Sequence, residues 1–185
     1  QQTTAGASEI TTTVGERVDG ERLSMVVRDV SEASKLGQFQ EADEGHVYVV
    51  VELAVKNTTR NEFLNFSGFL QTRIKDSEDY AYDQTLAFTG KMLDSGELAP
   101  GEVTRGNVVY QVPEDASGLT LEFDFAAIDF LDFDHVTVDL EQSAGSVASF
   151  DQDLRVPVHD TGEAVAAEGI EGTLNRVETR DALGR

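Results

Sequence analysis

Carboxylates crowd most closely in the run Asp129-Phe130-Leu131-Asp132-Phe133-Asp134-His135, with Asp124 before it and Asp139 after it. A hard cation such as calcium takes about six to eight oxygens, commonly from a loop of closely spaced aspartates. Asp129, Asp132 and Asp134 are therefore the candidate metal ligands, and calcium the candidate ion. The spacing is not that of an EF-hand loop, however, and its central glycine is missing. Phe130, Leu131 and Phe133 read as core anchors. The run is thus read first as acidic surface positions between buried aromatics, with a cation- or small-solute-binding loop over residues 129–139 as the alternative. Asp76, Glu78, Asp79 and Asp83 form a second, looser group with the same two readings. His46, His135 and His159 lie far apart and no Gly-x-Ser-x-Gly elbow accompanies them, so they read as surface histidines and the chain as a non-enzyme. The sequence has no cysteine, hence no disulfide, thiolate metal site or cysteine nucleophile. Two sequons, Asn57-Thr58-Thr59 and Asn65-Phe66-Ser67, make Asn57 and Asn65 candidate glycosylation sites, although Asn57 also reads as a turn residue.

These groups sit on a strongly acidic chain. Thirty-five Asp and Glu against 14 Lys and Arg give a formal net charge of -21. Acidic chains are often disordered because they cannot bury enough apolar surface, but this one is 39% hydrophobic and carries runs such as Val47-Tyr48-Val49-Val50-Val51. It should fold. The carboxylates occur in every segment, so the whole surface is acidic, and self-repulsion of that size weakens a compact state in dilute buffer. At about 1 M salt the screening length falls to about 3 Å. The composition therefore predicts a salt-adapted protein of haloarchaeal type, the other reading being an ordinary acidic secreted domain. Arg17, Arg22, Arg28, Arg60, Arg73 and Arg105 are scattered singly, which argues against nucleic-acid binding.

The elements that must position these groups read as strands. Leu23, Met25 and Val27 alternate with polar neighbours, as do Val47, Val49, Val51, Leu53 and Val55. Further strands are predicted at Leu70-Gln71-Thr72-Arg73-Ile74, Val108-Val109-Tyr110-Gln111-Val112, 119–125 and Val136-Thr137-Val138-Asp139-Leu140. Asn57-Thr58-Thr59, 75–79, Pro100-Gly101 and Pro113-Glu114-Asp115 supply the turns. Short strands at this spacing predict an all-β, antiparallel β-sandwich with a Phe, Val and Leu core.

An internal repeat adds to this organisation. Gly15-Glu16-Arg17-Val18 returns as Gly162-Glu163-Ala164-Val165, and the same offset aligns Leu23 with Ile170, Val27 with Leu174, Val30 with Val177 and Leu36-Gly37 with Leu183-Gly184. The expected layout is a flexible tether over 1–13, a sandwich over 14–145, a linker over 146–161 and the truncated start of a second repeat over 162–185. The chain, opening on Gln1, reads as a mature or trimmed piece of a longer protein. Residues 158–185 are expected to pair with a neighbouring molecule or an exposed sheet edge. No apolar stretch is long enough to span a membrane.

The strand Val51-Glu52-Leu53-Ala54-Val55-Lys56-Asn57-Thr58-Thr59, then Phe69-Leu70, Leu98-Ala99-Pro100-Gly101-Glu102 and Gly106-Asn107-Val108-Val109-Tyr110-Gln111-Val112-Pro113 appear in a particular order. That order resembles the immunoglobulin-like domains of unknown function grouped as DUF4352, over residues 15–140. The resemblance implies an immunoglobulin-like sandwich of secreted or lipid-anchored proteins, often of halophilic archaea and sometimes in tandem. It brings no catalytic residues and no cofactor. It implies an extracellular or cell-surface location, with the membrane reached only through a lipid anchor outside this chain. A protein partner, or self-association through sheet edges or residues 162–185, is the expected interaction.

Overall fold

A computed structural model describes residues 9–20, 22–124, 135–157, 159–167 and 169–179. The chain divides into two units, Gln1–Arg155 and Val156–Arg185. In chain order the first unit holds β1 (Glu9–Val14), β2 (Arg17–Asp19), β3 (Leu23–Ala33), β4 (Lys35–Leu36), β5 (Gln40–Glu41), β6 (His46–Asn57) and β7 (Leu64–Phe66). A single helical turn, α1 (Gly68–Gln71), follows, then β8 (Thr72–Lys75), β9 (Ala81–Tyr82), β10 (Gly96–Leu98), β11 (Val103–Pro113), β12 (Thr120–Asp124) and β13 (His135–Ser143). The second unit is a hairpin of β14 (Ala164–Ala167) and β15 (Ile170–Thr173).

Two sheets, ordered β11-β6-β3-β2 and β1-β13-β12-β8-β9, face each other as an immunoglobulin-like β-sandwich. The chain doubles back from β3 to β6 within one sheet, crosses to β8, returns to β11, crosses again to β12 and closes on β13. Apolar alternation drives this arrangement. Val49, Val51, Leu53 and Val55 of β6 point between the sheets, where Met25, Val27, Ile74, Leu121, Phe123 and Val136 meet them. Phe66 and Phe123 stack there with ring centroids 6.2 Å apart.

Beta pairing extends further than the alternation suggests. Residues 9–13, read from sequence as part of a tether, form most of β1, which pairs in parallel with β13 while the other main ladders are antiparallel. The β-branched run Ile10-Thr11-Thr12-Thr13-Val14 supplies the propensity. Leu70-Gln71, read as the start of a strand, instead belongs to α1. There Gln71 donates its N–H to the Ser67 carbonyl, and Thr72 Oγ1 donates to the Gly68 carbonyl at 2.7 Å.

The long strands β6 and β11 are also covered on their outer face. Leu36, Tyr48, Ala87 and Val109 form a second, smaller core beneath the loop that runs from Gln84 to Leu93. Backbone bonds from Leu93 N–H to Asn107 and from Asn107 N–H to Lys91 seat this loop on β11. Tyr48, an outward position by simple alternation, is therefore buried and donates its hydroxyl to the Glu41 carbonyl at 2.9 Å.

Residues 144–155, most of them read as linker, belong to the sandwich unit. Ala148 N–H donates to Gly15, Asp153 N–H to Gly101 and Arg155 N–H to Pro100. The strap presses on Gly101, whose φ of +80° belongs to the glycine-favoured region and where an added methyl would run into the Asp153 carbonyl. Gly101→Ala combines left-handed strain with that clash, and should cost about 2–4 kcal/mol, read as a lower thermal midpoint. An unchanged midpoint would mean the strap and the turn are independent of each other.

Candidate functional site

The β6–β11 ladder runs from Lys56 opposite Val103 to His46 opposite Pro113, and a polar notch lies at each end. At the Lys56 end Asn57 is fully buried, and its amide is shared between the 58–63 loop and the end of β10. Nδ2 donates to the Glu62 and Leu98 carbonyls at 2.8 and 2.9 Å, while Oδ1 accepts from Thr59 N–H and Thr59 Oγ1 at 2.9 and 2.7 Å. The backbone of Asn57 completes the join, donating to the Glu102 carbonyl and accepting from Gly101 N–H. Both hydrogens of the Asn57 side-chain nitrogen are thus committed within the fold. Asn65, on β7, is exposed.

Beside Asn57 is a cavity of about 230 Å³ lined by Arg17, Lys56, Arg155, Asp19 and Ser24 among others. Arg17 donates through Nε and Nη2 to Asp19 at 3.1 and 2.8 Å, and its guanidinium lies over the Phe150 ring. The Arg17 hydrogen bond, aided by Ser24, holds the Asp19 carboxyl below its usual range despite some burial. Lys56 Nζ donates to the Asp151 carbonyl at 2.8 Å, and Arg155 grips both Asp153 and the Thr59 carbonyl. These cations thus fasten the strap and the 57–62 loop to the strand ends. Chemically the notch can offer N–H donors to an anion, and a lysine ammonium has three.

The other notch, about 210 Å³, is lined by Asp76 and Glu78 of the second acidic group, together with Asp115. Its carboxylates do not converge. Asp76 Oδ1 accepts from the N–H groups of Glu78 and Tyr80 at 2.9 and 3.0 Å, and Oδ2 accepts from the Tyr82 hydroxyl at 2.7 Å. This is an aspartate closing its own turn, with Asp79 at φ 64° inside it. The bond from Tyr82 lowers the Asp76 carboxyl, and the same bond pushes the Tyr82 phenol up to about 12.

Asp129, Asp132 and Asp134, with Phe130, Leu131 and Phe133, lie outside the described residues. Asp139, at the edge of that run, accepts from Glu141 N–H and from Gln142 Nε2 at 2.9 and 2.7 Å. Among the described residues no three His, Asp or Glu side chains stand where they could hold a metal ion together.

One ionic group was not singled out in the sequence. Glu122 on β12 meets Arg73 and Lys75 of β8 at 2.6 Å each, with His135 of β13 at 3.8 Å. Burial alone would raise this carboxyl, but Lys75 and Arg73 outweigh it and hold it below the ordinary value. The signal was the register, since Glu122 is opposite Arg73 in the ladder. His46 contacts the Glu44 carbonyl, and His159 contacts Glu163 within the second unit.

Two outcomes are expected. Asn57→Ala strands the Glu62 and Leu98 carbonyls and the Thr59 N–H, and should cost about 2–4 kcal/mol in urea denaturation. Lowered carboxyls such as Glu122 and Asp76 add stability above their unfolded values of about 4, and lose it as pH falls through the lower folded values. Stability should therefore drop on acidification below about pH 4.5, less steeply in Glu122→Gln, which itself costs about 1 kcal/mol at neutral pH. Parallel acid titrations of the two proteins would contradict this assignment.

Comparison with solved structures bears on the fold. The yjhA protein of Bacillus subtilis superposes with a TM-score of 0.55 at 17% identity, over 70% of this chain and 98% of that one. The secreted protein MPT63 of Mycobacterium tuberculosis gives 0.53 at 13% identity, over 72% and 99%. A provisionally named lipoprotein of Bacillus subtilis, ycdA, gives 0.53 at 15% identity, over 68% of this chain and 39% of that one. At these identities the likeness is one of fold. Comparison with the curated proteins gave no match. The family model described as domain of unknown function, DUF4352, matches residues 12–130, and the chain belongs to that family.

Proposed function

We propose that the protein is a non-catalytic module of the cell surface or extracellular space, salt-adapted and arranged in tandem with a second copy, which spaces or joins protein partners. The observation that carries this reading is the use to which its polar side chains are put. Asn57, Asp76, Asp19 and Glu122 spend their hydrogen-bonding and ionic capacity on loop closure and strand pairing inside the sandwich. A secreted protein and a provisionally named lipoprotein among its structural neighbours support the location. Phe39, Leu86 and Phe88 support the interaction role: all three are exposed near the second core, where Phe88 N–H bonds Gln40 at 3.1 Å. The net charge of -21 supports the salt adaptation.

Thermal melts at rising KCl, and at fixed multi-molar KCl with or without calcium or magnesium, test the reading. The midpoint should climb with KCl and ignore the divalent ions. A ligand at about 100 times its dissociation constant adds about 2.7 kcal/mol, roughly 5–10 °C for a domain of this size. A shift of that order with calcium alone would favour cation binding by the acidic run at 129–139. A midpoint indifferent to KCl would remove the salt adaptation.

A further inference from the structure

The second unit repeats the opening of the first, bond for bond. Gly15 and Gly162 have φ of +95° and +94°. Gly15 N–H donates to Val27 at 2.8 Å and Gly162 N–H to Leu174 at 2.9 Å; Glu16 N–H donates to Thr13 at 3.2 Å and Glu163 N–H to Asp160 at 3.0 Å. Each pair is related by the offset that takes 15 to 162. The ladders agree in the same way. Arg17, Val18 and Asp19 are opposite Val26, Met25 and Ser24, and Ala164, Val165 and Ala166 are opposite Thr173, Gly172 and Glu171. Only the turn differs, since Gly169, at φ +89°, stands where the first copy has Arg22. A chance hairpin has no reason to share register and both flanking bonds, because a one-residue slip would turn every side chain to the other face.

What differs is what covers the two hairpins. In the first unit the far edge of β3 pairs with β6, setting Met25 against Val55 and Val27 against Leu53, and these residues are buried. In the second unit β15 pairs only with β14 among the described residues. Ile170, Leu174 and Val177, the counterparts of Leu23, Val27 and Val30, are 77%, 61% and 70% exposed. A lone two-stranded hairpin is marginal in water, and an apolar open edge is a template for another strand.

We infer that residues 160–177 are the opening hairpin of a second sandwich of the same build. The open edge of β15 is a strand-accepting interface, and its occupant is an antiparallel strand of the β6 kind from another copy of this domain. In the register β6 uses against β3, that strand sets a counterpart of Leu53 beside Leu174 and of Val51 beside Val177, while Ile170 takes the place of Leu23 opposite Asn57, with main-chain bonds supplying the adhesion. This inference deepens the tandem part of the proposed function and is independent of whether the module is salt-adapted or non-catalytic.

Appending a second copy of residues 39–155 to the full chain tests it, because Arg185 stands at the position of Gln38. Amide exchange of residues 170–177, followed by mass spectrometry at low micromolar protein, should slow by at least about a hundredfold relative to the 185-residue chain. Leu174→Glu in the extended protein should abolish that protection and leave exchange in the first sandwich unchanged. Residues 170–177 exchanging as fast with the appended strands as without them, whether or not those strands fold, would overturn the inference.

Discussion

A single buried amide joins the loops at one end of the sandwich. Asn57 closes the last turn of β6, holds the 59–62 loop and reaches the Leu98 carbonyl at the start of the Pro100-Gly101-Glu102 turn. That turn in turn receives the strap through Gly101 and Pro100. Every donor and acceptor of the Asn57 side chain is satisfied within the protein, which a buried amide requires, since an unpaired buried polar group costs about 1–3 kcal/mol. The 98–102 segment of the resemblance read from sequence is this stretch. Its physical basis is a turn in which glycine alone leaves room for a second segment to cross.

Strands β6 and β11 are covered on both faces around Tyr48 and Val109, and this shapes the rest of the architecture. One face meets the opposite sheet, and the other lies beneath the loop from Gln84 to Leu93. Gly106 in β11, opposite the core residue Leu53, leaves room for the Met92–Leu93 backbone to close over that end of the inner core. Charge is left to the outward positions of the ladders that stay exposed or half-buried. Arg105 of β11 pairs with Glu52 of β6, and Arg73 and Lys75 of β8 with Glu122 of β12. An acidic chain with few cations thus places several of them beside the carboxylates that neighbouring strands would otherwise bring together.

Much of the fold was legible in the sequence because two-residue alternation records burial directly. The spans at Val47, Val108 and Val136 fall within strands, and the turns at Asn57, Pro100 and Pro113 fall at their ends. What alternation could not reveal depends on contacts distant in sequence. Tyr48 is buried by a loop some forty residues away in the chain. β1 is ordered by pairing with β13, and its threonines look like tether until that partner is known. A sequon records only residue types, so Asn57 read as a modification site, although its nitrogen is committed to two carbonyls. Glu122 gained meaning only from register.

The parallel pairing of β1 with β13 also bears on how the chain can fold. Glu9 meets His135 and Val14 meets Ser143, so the first strand of the sandwich waits for the last. Contacts of such wide sequence separation carry a loop-closure cost before they return any stabilisation, and they slow folding. A nascent chain that has not reached Ser143 cannot pair β1 along its full length, and one that has not reached Arg155 cannot fasten the strap at Pro100. The sandwich is therefore completed near the end of its own synthesis.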